Sequence, residues 1–257
     1  LKGVLQRLTW AAGAALLVFV LVLALQEPRK ALAAVGVAIG AWVILGALTE
    51  VAERIRLFRV PGSESWRRLT GLPAGAWGMT LAHAGLGVFL VGACFETQWK
   101  VEVARTLAVG DRLSVGEYVL TLEQAGEVEG PNYVAERGVL AVVREDGVRT
   151  CTATPERRFF PASRQTTTEV ALCFKPLSDL YVVMGERRAT ASGEPGWLVR
   201  AYWNPLARLI FLGPLMMALG GLVSLADRRL RLAAPSKARA RVAPAAAPAA
   251  APMEAEA

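Results

Sequence analysis

Histidine is the side chain best suited here to bind a metal or a cofactor, and the chain of 257 residues has one, His83. It lies in the longest run without charged residues, 69–95. Ionisable side chains in such runs are costly in lipid, tend to face other protein and often mark a site. Two interpretations follow: the imidazole hydrogen-bonds a neighbouring helix, or it ligates a bound group. The small residues Ala84, Gly85 and Gly87 leave room for a flat macrocycle or for another helix.

The three cysteines, Cys94, Cys151 and Cys173, form neither a Cys-x-x-Cys nor a Cys-x-x-Cys-His motif. The chain is therefore not itself a c-type cytochrome or a zinc ribbon. Cys151 and Cys173 could pair if both lie in an oxidising compartment. Of the two alternatives, we favour unpaired cysteines buried as small apolar side chains in strands.

The elements that carry these residues are those of a membrane protein. Hydrophobic residues make up 54% of the chain, and four segments are free of charge over roughly the 20 residues that a spanning helix needs. The predicted transmembrane helices are residues 8–26, 31–49, 75–95 and 206–226. Asn204 and Pro205 are predicted to cap and begin the last of them, because Asn favours the cap position and Pro the first helical position.

The net charge of +7 is concentrated in segments beside these helices, so no nucleic-acid partner is expected. Arginines cluster in the loop 50–74, and Lys and Arg recur at the start of the tail 227–257. An excess of Lys and Arg in short loops marks the cytoplasmic side, which predicts that both segments are cytoplasmic. The Ala- and Pro-rich tail is predicted to be disordered.

Residues 96–205 have a different sequence pattern. Short runs of alternating apolar and polar residues, or of β-branched residues, lie between glycine-containing turns. Tyr118, Leu120 and Leu122 would share one face of a strand, and Asp146-Gly147 predicts a hairpin. The candidate strands are EYVLTLE, GVLAVVRE, GVRTCTA, EVALCF, DLYVVMG and WLVRAYW. The predicted fold is a polytopic α-helical membrane protein with an inserted, extracytoplasmic all-β domain, either a sandwich or a barrel.

The run WGMTLAHAGLGVFLVG resembles the penultimate span of the CcmF-type cytochrome c haem lyases, in which a Gly-Met-x-x-Ala-His-x-Gly pattern recurs. Further motifs follow in the family's order: GPNYVAERG, PERRFF, TTTEVAL, DLYVVMG and NPLARLIFLGPLMMALGGLVSLADRR. Together they cover the chain from about residue 49 to 231, and their combination is specific where each motif alone is weak.

The resemblance implies a part in attaching haem to the Cys-x-x-Cys-His motif of apocytochromes c, outside the bacterial cytoplasmic (inner) membrane. Members of the family receive haem from a haem chaperone and work with a thiol-handling maturation partner that holds the apocytochrome. They also carry an intramembrane b-type haem ligated by two histidines, one of which matches His83. His83 is therefore expected to be an axial ligand of haem b. Ligation by two imidazoles leaves no open position for substrate and suits an electron carrier.

The departures from the family are equally informative. This sequence lacks the family's tryptophan-rich external motif, its two external histidines and the second b-haem histidine. The expectation is the C-terminal part of a longer lyase, or one half of a split one, that works with the remaining N-terminal part. No complete catalytic site is expected in this chain, and no catalytic residue is assigned.

The external motifs supply candidates for a structural or docking role. On residue types alone, PERRFF and TTTEVAL favour a solvated loop and an ordinary strand; the resemblance makes their residues candidates, with Arg158 pairing with one of the two glutamates. The candidates are Pro155, Glu156, Arg158, Thr168 and Glu169.

Three alternatives stay open. One is the related lyase that serves a multihaem nitrite-reductase cytochrome, and another is a non-catalytic scaffold of the maturation machinery in which His83 is structural. A transporter is the weakest, because no intramembrane acid or second basic group lines a path.

Overall fold

The computed structural model of the chain describes residues 2–26 and 30–227, with side chains described from residue 9 onward. The tail predicted to be disordered lies outside the described residues, apart from Asp227. The helices are α1 Lys2–Leu25, α2 Ala31–Arg54, α3 Gly62–Thr70, α4 Ala74–Trp99 and α5 Leu209–Leu225.

Helices α1, α2, α4 and α5 lie on the four charge-free segments of the sequence. Of these, α2 and α4 are long and apolar enough to cross a membrane, while α5 and the part of α1 from Thr9 to Leu25 are shorter apolar helices. The segment 50–74, predicted to be a loop, contains the additional helix α3. Its Glu64 accepts a hydrogen bond from Arg68 at 2.9 Å, an i,i+4 pair that supports a short polar helix.

The predicted start of the last helix is wrong. Asn204 and Pro205 end strand β10, Pro195–Pro205, in which Asn204 lies opposite Asp179 of the neighbouring strand. Strand pairing thus overrides the local capping signal. The chain turns at Leu206, whose φ of 53° is left-handed, and α5 begins at Leu209.

The four long helices form a single row in which α1 packs on α2, α2 on α4, and α4 on α5. Helices α4 and α5 are antiparallel and meet through glycines. A Cβ atom added to Gly85 would lie 2.6 Å from the carbonyl oxygen of Gly213, and one added to Gly213 would lie 2.6 Å from that of Gly85. On the other side of α4, a Cβ at Gly87 would lie 2.6 Å from the carbonyl oxygen of Gly40 in α2. The small residues beside His83 therefore accommodate neighbouring helices.

The glycine contact between α4 and α5 predicts a position-specific effect of adding one methyl group. Gly85→Ala should lower the free energy of unfolding by about 1–3 kcal/mol, because the methyl group would lie 2.6 Å from the Gly213 carbonyl oxygen and 2.8 Å from Met216 Cβ. Gly221→Ala is the matched control on α5, where an added Cβ meets nothing within 4 Å; it should be neutral or stabilising by up to ~1 kcal/mol through helix propensity. Thermal unfolding in detergent measures both. Equal stability of the two variants would show that the close contact is absent.

Between α4 and α5 the chain forms ten strands in two antiparallel sheets. They are β1 Val101–Leu107, β2 Arg112–Val115, β3 Tyr118–Glu129, β4 Val134–Arg144, β5 Arg149–Ala153, β6 Glu156–Phe160, β7 Gln165–Glu169, β8 Ala171–Phe174, β9 Ser178–Ala189 and β10 Pro195–Pro205. One sheet has the order β1-β10-β9-β8, and the other β2-β3-β4-β6-β7 with β5 also paired to β4. The all-β prediction is confirmed.

The core of this domain lies between the two sheets and follows the alternation in the sequence. Tyr118, Leu120 and Leu122 all face it, with at most 4% of any of them exposed. Leu180 and Val182 of β9 face it from the other sheet. The predicted strand EVALCF is divided at Val170: its first residue ends β7 in one sheet and its last four form β8 in the other.

A disulfide joins the two sheets. Cys151 of β5 is bonded to Cys173 of β8, 22 residues away in sequence. The favoured interpretation of two unpaired cysteines is therefore wrong. Because β5 and β8 belong to different sheets, only their packing face to face brings the two thiols together, and neither strand pattern carries that information.

Removing the disulfide should destabilise the β domain. Closing a loop of about 22 residues stabilises a fold by about 3 kcal/mol through the entropy of the unfolded chain. Replacing Cys151 and Cys173 together by Ser should thus lower the midpoint of thermal unfolding followed by circular dichroism of the strands. Cys94→Ser, at the free cysteine of α4, is the control and should leave that midpoint unchanged. An unchanged midpoint in the double variant would contradict the pairing.

Candidate functional site

His83 lies on an exposed face of α4. Gly85 contacts α5 on the opposite side of the helix, whereas Gly87, one turn after His83, contacts α2 beside it. The imidazole is therefore exposed next to the contact with α2. Leu86, one turn along, is 40% exposed on the same side. A ligand or another polypeptide segment would reach His83 from this open side of the row.

The ring of His83 is held by the backbone of its own helix. Nδ1 lies 2.8 Å from the carbonyl oxygen of Met79. A carbonyl only accepts hydrogen bonds, so Nδ1 carries the proton and donates. Nε2 then keeps its lone pair, which is the form in which a neutral imidazole ligates a metal ion.

No group of three or more His, Cys, Asp or Glu side chains in the described part of the chain is arranged to hold a metal ion. A single imidazole with an available Nε2 can add one bond to a metal that brings its other ligands, such as the iron of a porphyrin. At 1.5 Å per residue, His83 lies about 14 Å along α4 from Ala74 and about 24 Å from Trp99. It belongs to the half of α4 remote from the β domain.

Three of the candidates in the external motifs form a cluster centred on Glu156, which is 5% exposed. Arg158 donates from Nε to Glu156 Oε2 at 2.7 Å and lies 3.6 Å from Glu169. Glu156 and Glu169 are directly opposite on β6 and β7, an arrangement of like charges that would repel without a cation between them. The predicted pairing of Arg158 is confirmed with both glutamates.

Two further members of this cluster were not among the candidates. Arg137 of β4, opposite Glu156 in the sheet, donates to Glu156 Oε1. The guanidinium of Arg158 stacks over the ring of Tyr133, with its Cζ 4.5 Å from the ring centroid. Arg137 and Tyr133 both lie in the motif GPNYVAERG. That motif is one of those that resemble the family, and it could have identified the two residues as candidates.

The remaining two candidates have separate positions. Pro155 is fully buried, and its carbonyl accepts a hydrogen bond from the Gly138 N–H at 3.0 Å, which continues the link between β4 and the start of β6. Thr168 is exposed on β7 and lies opposite Arg157 rather than in the glutamate cluster. The structure therefore brings three of the five candidates together in the cluster, Glu156, Arg158 and Glu169.

Comparisons with known proteins bear on the family and the fold. Residues 98–205 match the family model described as the CcmF C-terminal β-sandwich. The chain is 42% identical over 243 residues to the cytochrome c-type biogenesis protein CycK of Bradyrhizobium diazoefficiens, covering 94% of this chain and 36% of that protein. It is 34% identical over 201 residues to the cytochrome c-type biogenesis protein CcmF of Escherichia coli, covering 78% of this chain and 29% of that protein.

The chain belongs to the CcmF-type cytochrome c biogenesis proteins. The resemblance found in the sequence is thereby confirmed, including its C-terminal position, since the matched domain is the C-terminal one of CcmF. The chain spans about a third of the length of the relatives that it matches. Family membership together with the long apolar helices α2 and α4 makes it a membrane protein.

A solved structure shows the same fold. The structure of Cytochrome c Heme Lyase CcmF superposes with a TM-score of 0.60 at 19% identity, over 87% of this chain and 34% of that one. The Glu156 cluster lies within the residues matched to the CcmF C-terminal domain, whereas His83 precedes them. The two candidate sites therefore belong to different parts of the CcmF-type chain: one stabilises the sandwich, and the other lies in the helices.

The two arginine partners of Glu156 affect the pKa of its carboxyl. Burial of the Glu156 carboxyl acts to raise its pKa, but hydrogen bonds and charge from Arg158 and Arg137 outweigh it, and the pKa is lowered. A carboxyl with a lowered pKa in the folded state stabilises the fold fully above its ordinary pKa of about 4.3. This stabilisation is lost as the pH falls through the lowered value.

Glu156→Gln should therefore destabilise the β domain at neutral pH by about 1–3 kcal/mol, because Arg137 and Arg158 lose their shared counter-ion. The difference from the unsubstituted chain should shrink as the pH is lowered below about 4, where Glu156 itself becomes protonated. Thermal unfolding across pH 3–7 measures this, with the exposed Glu129 of β3 replaced by Gln as the control for charge. A difference that does not change with pH would refute the ionic role of Glu156.

Proposed function

We propose that this chain is part of a haem lyase that attaches haem to apocytochrome c outside the bacterial cytoplasmic membrane, and that His83 is an axial ligand of an intramembrane b-type haem. The observation that carries the second part is the hydrogen bond from His83 Nδ1 to the Met79 carbonyl. It leaves Nε2 available on an exposed face of α4. The first part is supported by family membership and by the likeness to a solved structure named Cytochrome c Heme Lyase CcmF.

The proposed topology has α1, α2, α4 and α5 crossing the membrane, with the β domain extracytoplasmic. The arginines of the segment 50–74 support the cytoplasmic assignment of the α2–α4 connection. Helix α4 leads from that connection to Val101, the first residue of the sandwich. His83 then belongs to the cytoplasmic half of the membrane, away from any apocytochrome.

A haem ligated by two imidazoles supplies one-electron transfer. The residues of this chain hold and orient one of those imidazoles. The Met79 carbonyl fixes the tautomer of His83, and the contacts of Gly85 and Gly87 fix the rotation of α4 between its neighbours. Because the chain has a single histidine, the second imidazole comes from another polypeptide segment.

The same proposal names the partners. They are the remaining part of the lyase, a haem chaperone, and the apocytochrome with its thiol-handling partner. The β domain, on the extracytoplasmic side in this topology, is the part of the chain placed to meet them. The sandwich contributes no assigned catalytic residue.

The test of the haem site is an absorption spectrum of membrane preparations. The chain co-produced with the remaining part of the lyase should show a six-coordinate, low-spin b-type spectrum after reduction, and His83→Ala should abolish it. Added imidazole should partly restore the spectrum, because the substitution leaves a hole the size of the lost ring. The isolated 257-residue chain should bind haem weakly or in a five-coordinate, high-spin form.

The control is Leu86→Ala, which alters the same exposed face one turn away and should leave the low-spin spectrum intact. An unchanged low-spin spectrum in His83→Ala would identify His83 as a structural histidine. It would favour the alternative in which this chain is a scaffold of the maturation machinery.

A further inference from the structure

Two large apolar side chains are exposed at the end of the β domain that faces the helices. Phe174, the last residue of β8, is 62% exposed, and Leu177, in the turn to β9, is 72% exposed. Removing such side chains from water is favourable. We refer to these two residues as the basal patch.

The basal patch is fixed to the start of α5. The Leu206 N–H donates to the Leu177 carbonyl at 2.8 Å. Arg208 pairs with Asp179 at 3.1 Å, and its guanidinium lies over the ring of Phe174, 5.1 Å from the centroid. The basal patch therefore lies where the polar end of the β domain joins the first turn of the apolar helix α5.

The start of α5 lies closer to the apolar middle of the row of helices than the nearby polar residues of α4 and α2 do. A Cβ added to Gly92 would lie 2.6 Å from Leu209 Cβ, so α5 begins beside Gly92 of α4. The first charged residue after Gly92 is Glu96, and Lys30, just before α2, donates to the Gln98 carbonyl. The start of α5, beside Gly92, is therefore about four to six helical residues, or about 6–9 Å, from these polar residues.

Helix α5 is also short for the membrane. Its 17 residues extend about 26 Å, less than the ~30 Å of a typical hydrocarbon core. Some other part of the chain must cover the remaining apolar depth beside α5, or the bilayer must thin.

The basal patch continues the exposed apolar stripe of α5. Arg208 has helical φ and ψ, so the residues three, four and seven positions later lie on its side of the helix. These are Phe211, Leu212 and Leu215, which are 76%, 44% and 55% exposed. Phe174, stacked on Arg208, extends this stripe onto the sandwich.

We propose that the basal patch inserts into the lipid bilayer, so that Phe174 and Leu177 rest in the outer edge of the hydrocarbon core beside α5. The inference depends on the topology proposed above, in which α5 spans the membrane. Lipid is the occupant that these observations favour, because the patch continues the stripe of α5 and makes up the depth that α5 lacks. The Arg208–Asp179 pair keeps the charge of Arg208 compensated at this depth.

The test uses a fluorescent bimane attached to a single introduced cysteine in the 257-residue chain, reconstituted in phosphatidylcholine nanodiscs. The background is Cys94→Ser, and the Cys151–Cys173 disulfide does not react with the probe. Leu177→Cys should be quenched strongly by lipids brominated on the acyl chain near the headgroup, and weakly by aqueous iodide. Val109→Cys is the matched control: Val109 is 54% exposed beyond the seven residues of β1, about 23 Å from the end of α4. It should show the opposite preference.

A third site, Leu215→Cys on α5, separates failure of this inference from failure of the topology. If the probe at Leu215 is quenched by brominated lipid and the probe at Leu177 is quenched only by iodide, the patch faces water and the inference is wrong. If Leu177 is shielded from both quenchers, another protein segment covers it and the inference is also wrong. If neither Leu215 nor Leu177 responds to brominated lipid, α5 does not span the bilayer and the proposed topology fails.

Discussion

The close antiparallel contact of α4 with α5 is the constraint on which the rest of the structure depends. Gly85 and Gly213 present their carbonyl oxygens to each other across a distance that leaves no room for a Cβ on either helix. Such packing supplies dispersion contacts and weak Cα–H···O bonds where no hydrophobic effect drives helices together. It fixes both the rotation of α4 and the level at which α5 begins.

The β domain follows from that contact. Because α4 and α5 are neighbours, the strands joined to them can pair: β1 pairs with β10 along the whole length of β1, from Val101 opposite Trp203 to Leu107 opposite Trp197. The first and last strands of the sandwich are thus neighbours at one edge of the same sheet. Cys151–Cys173 then joins that sheet to the other, and Arg208–Asp179 ties it to the helix. The domain is held at its base by backbone pairing, a covalent bond and an ion pair.

Local patterns in the sequence predicted the helices and strands more successfully than they predicted the contacts between them. Runs without charge predicted the long helices, and alternation predicted the buried face of β3, because both depend on residues close in sequence. The start of α5 was wrong because pairing of Asn204 with Asp179 outweighs its tendency to cap. The disulfide and the Arg137–Glu156 pair join residues on different strands, so no local period contains them. Arg158 was predicted through a motif, and Glu169 with it, because the resemblance placed them in one family pattern.

The polar contacts also distinguish the residues that stabilise the fold from the residue that could bind a ligand. Within the described part of the chain, Met79 holds one nitrogen of His83, while Arg137 and Arg158 neutralise Glu156. The glutamate cluster is satisfied by groups of its own domain, which is what a stabilising role requires. Among the residues that the structure describes, the imidazole has a hydrogen-bond partner at one nitrogen only, and its ring lies on the exposed side of the row of helices. A buried network that is complete needs no ligand, whereas a half-satisfied histidine on an apolar face gains a partner only from outside that row. This asymmetry is why His83, rather than the cluster with more charged residues, is the candidate for cofactor binding.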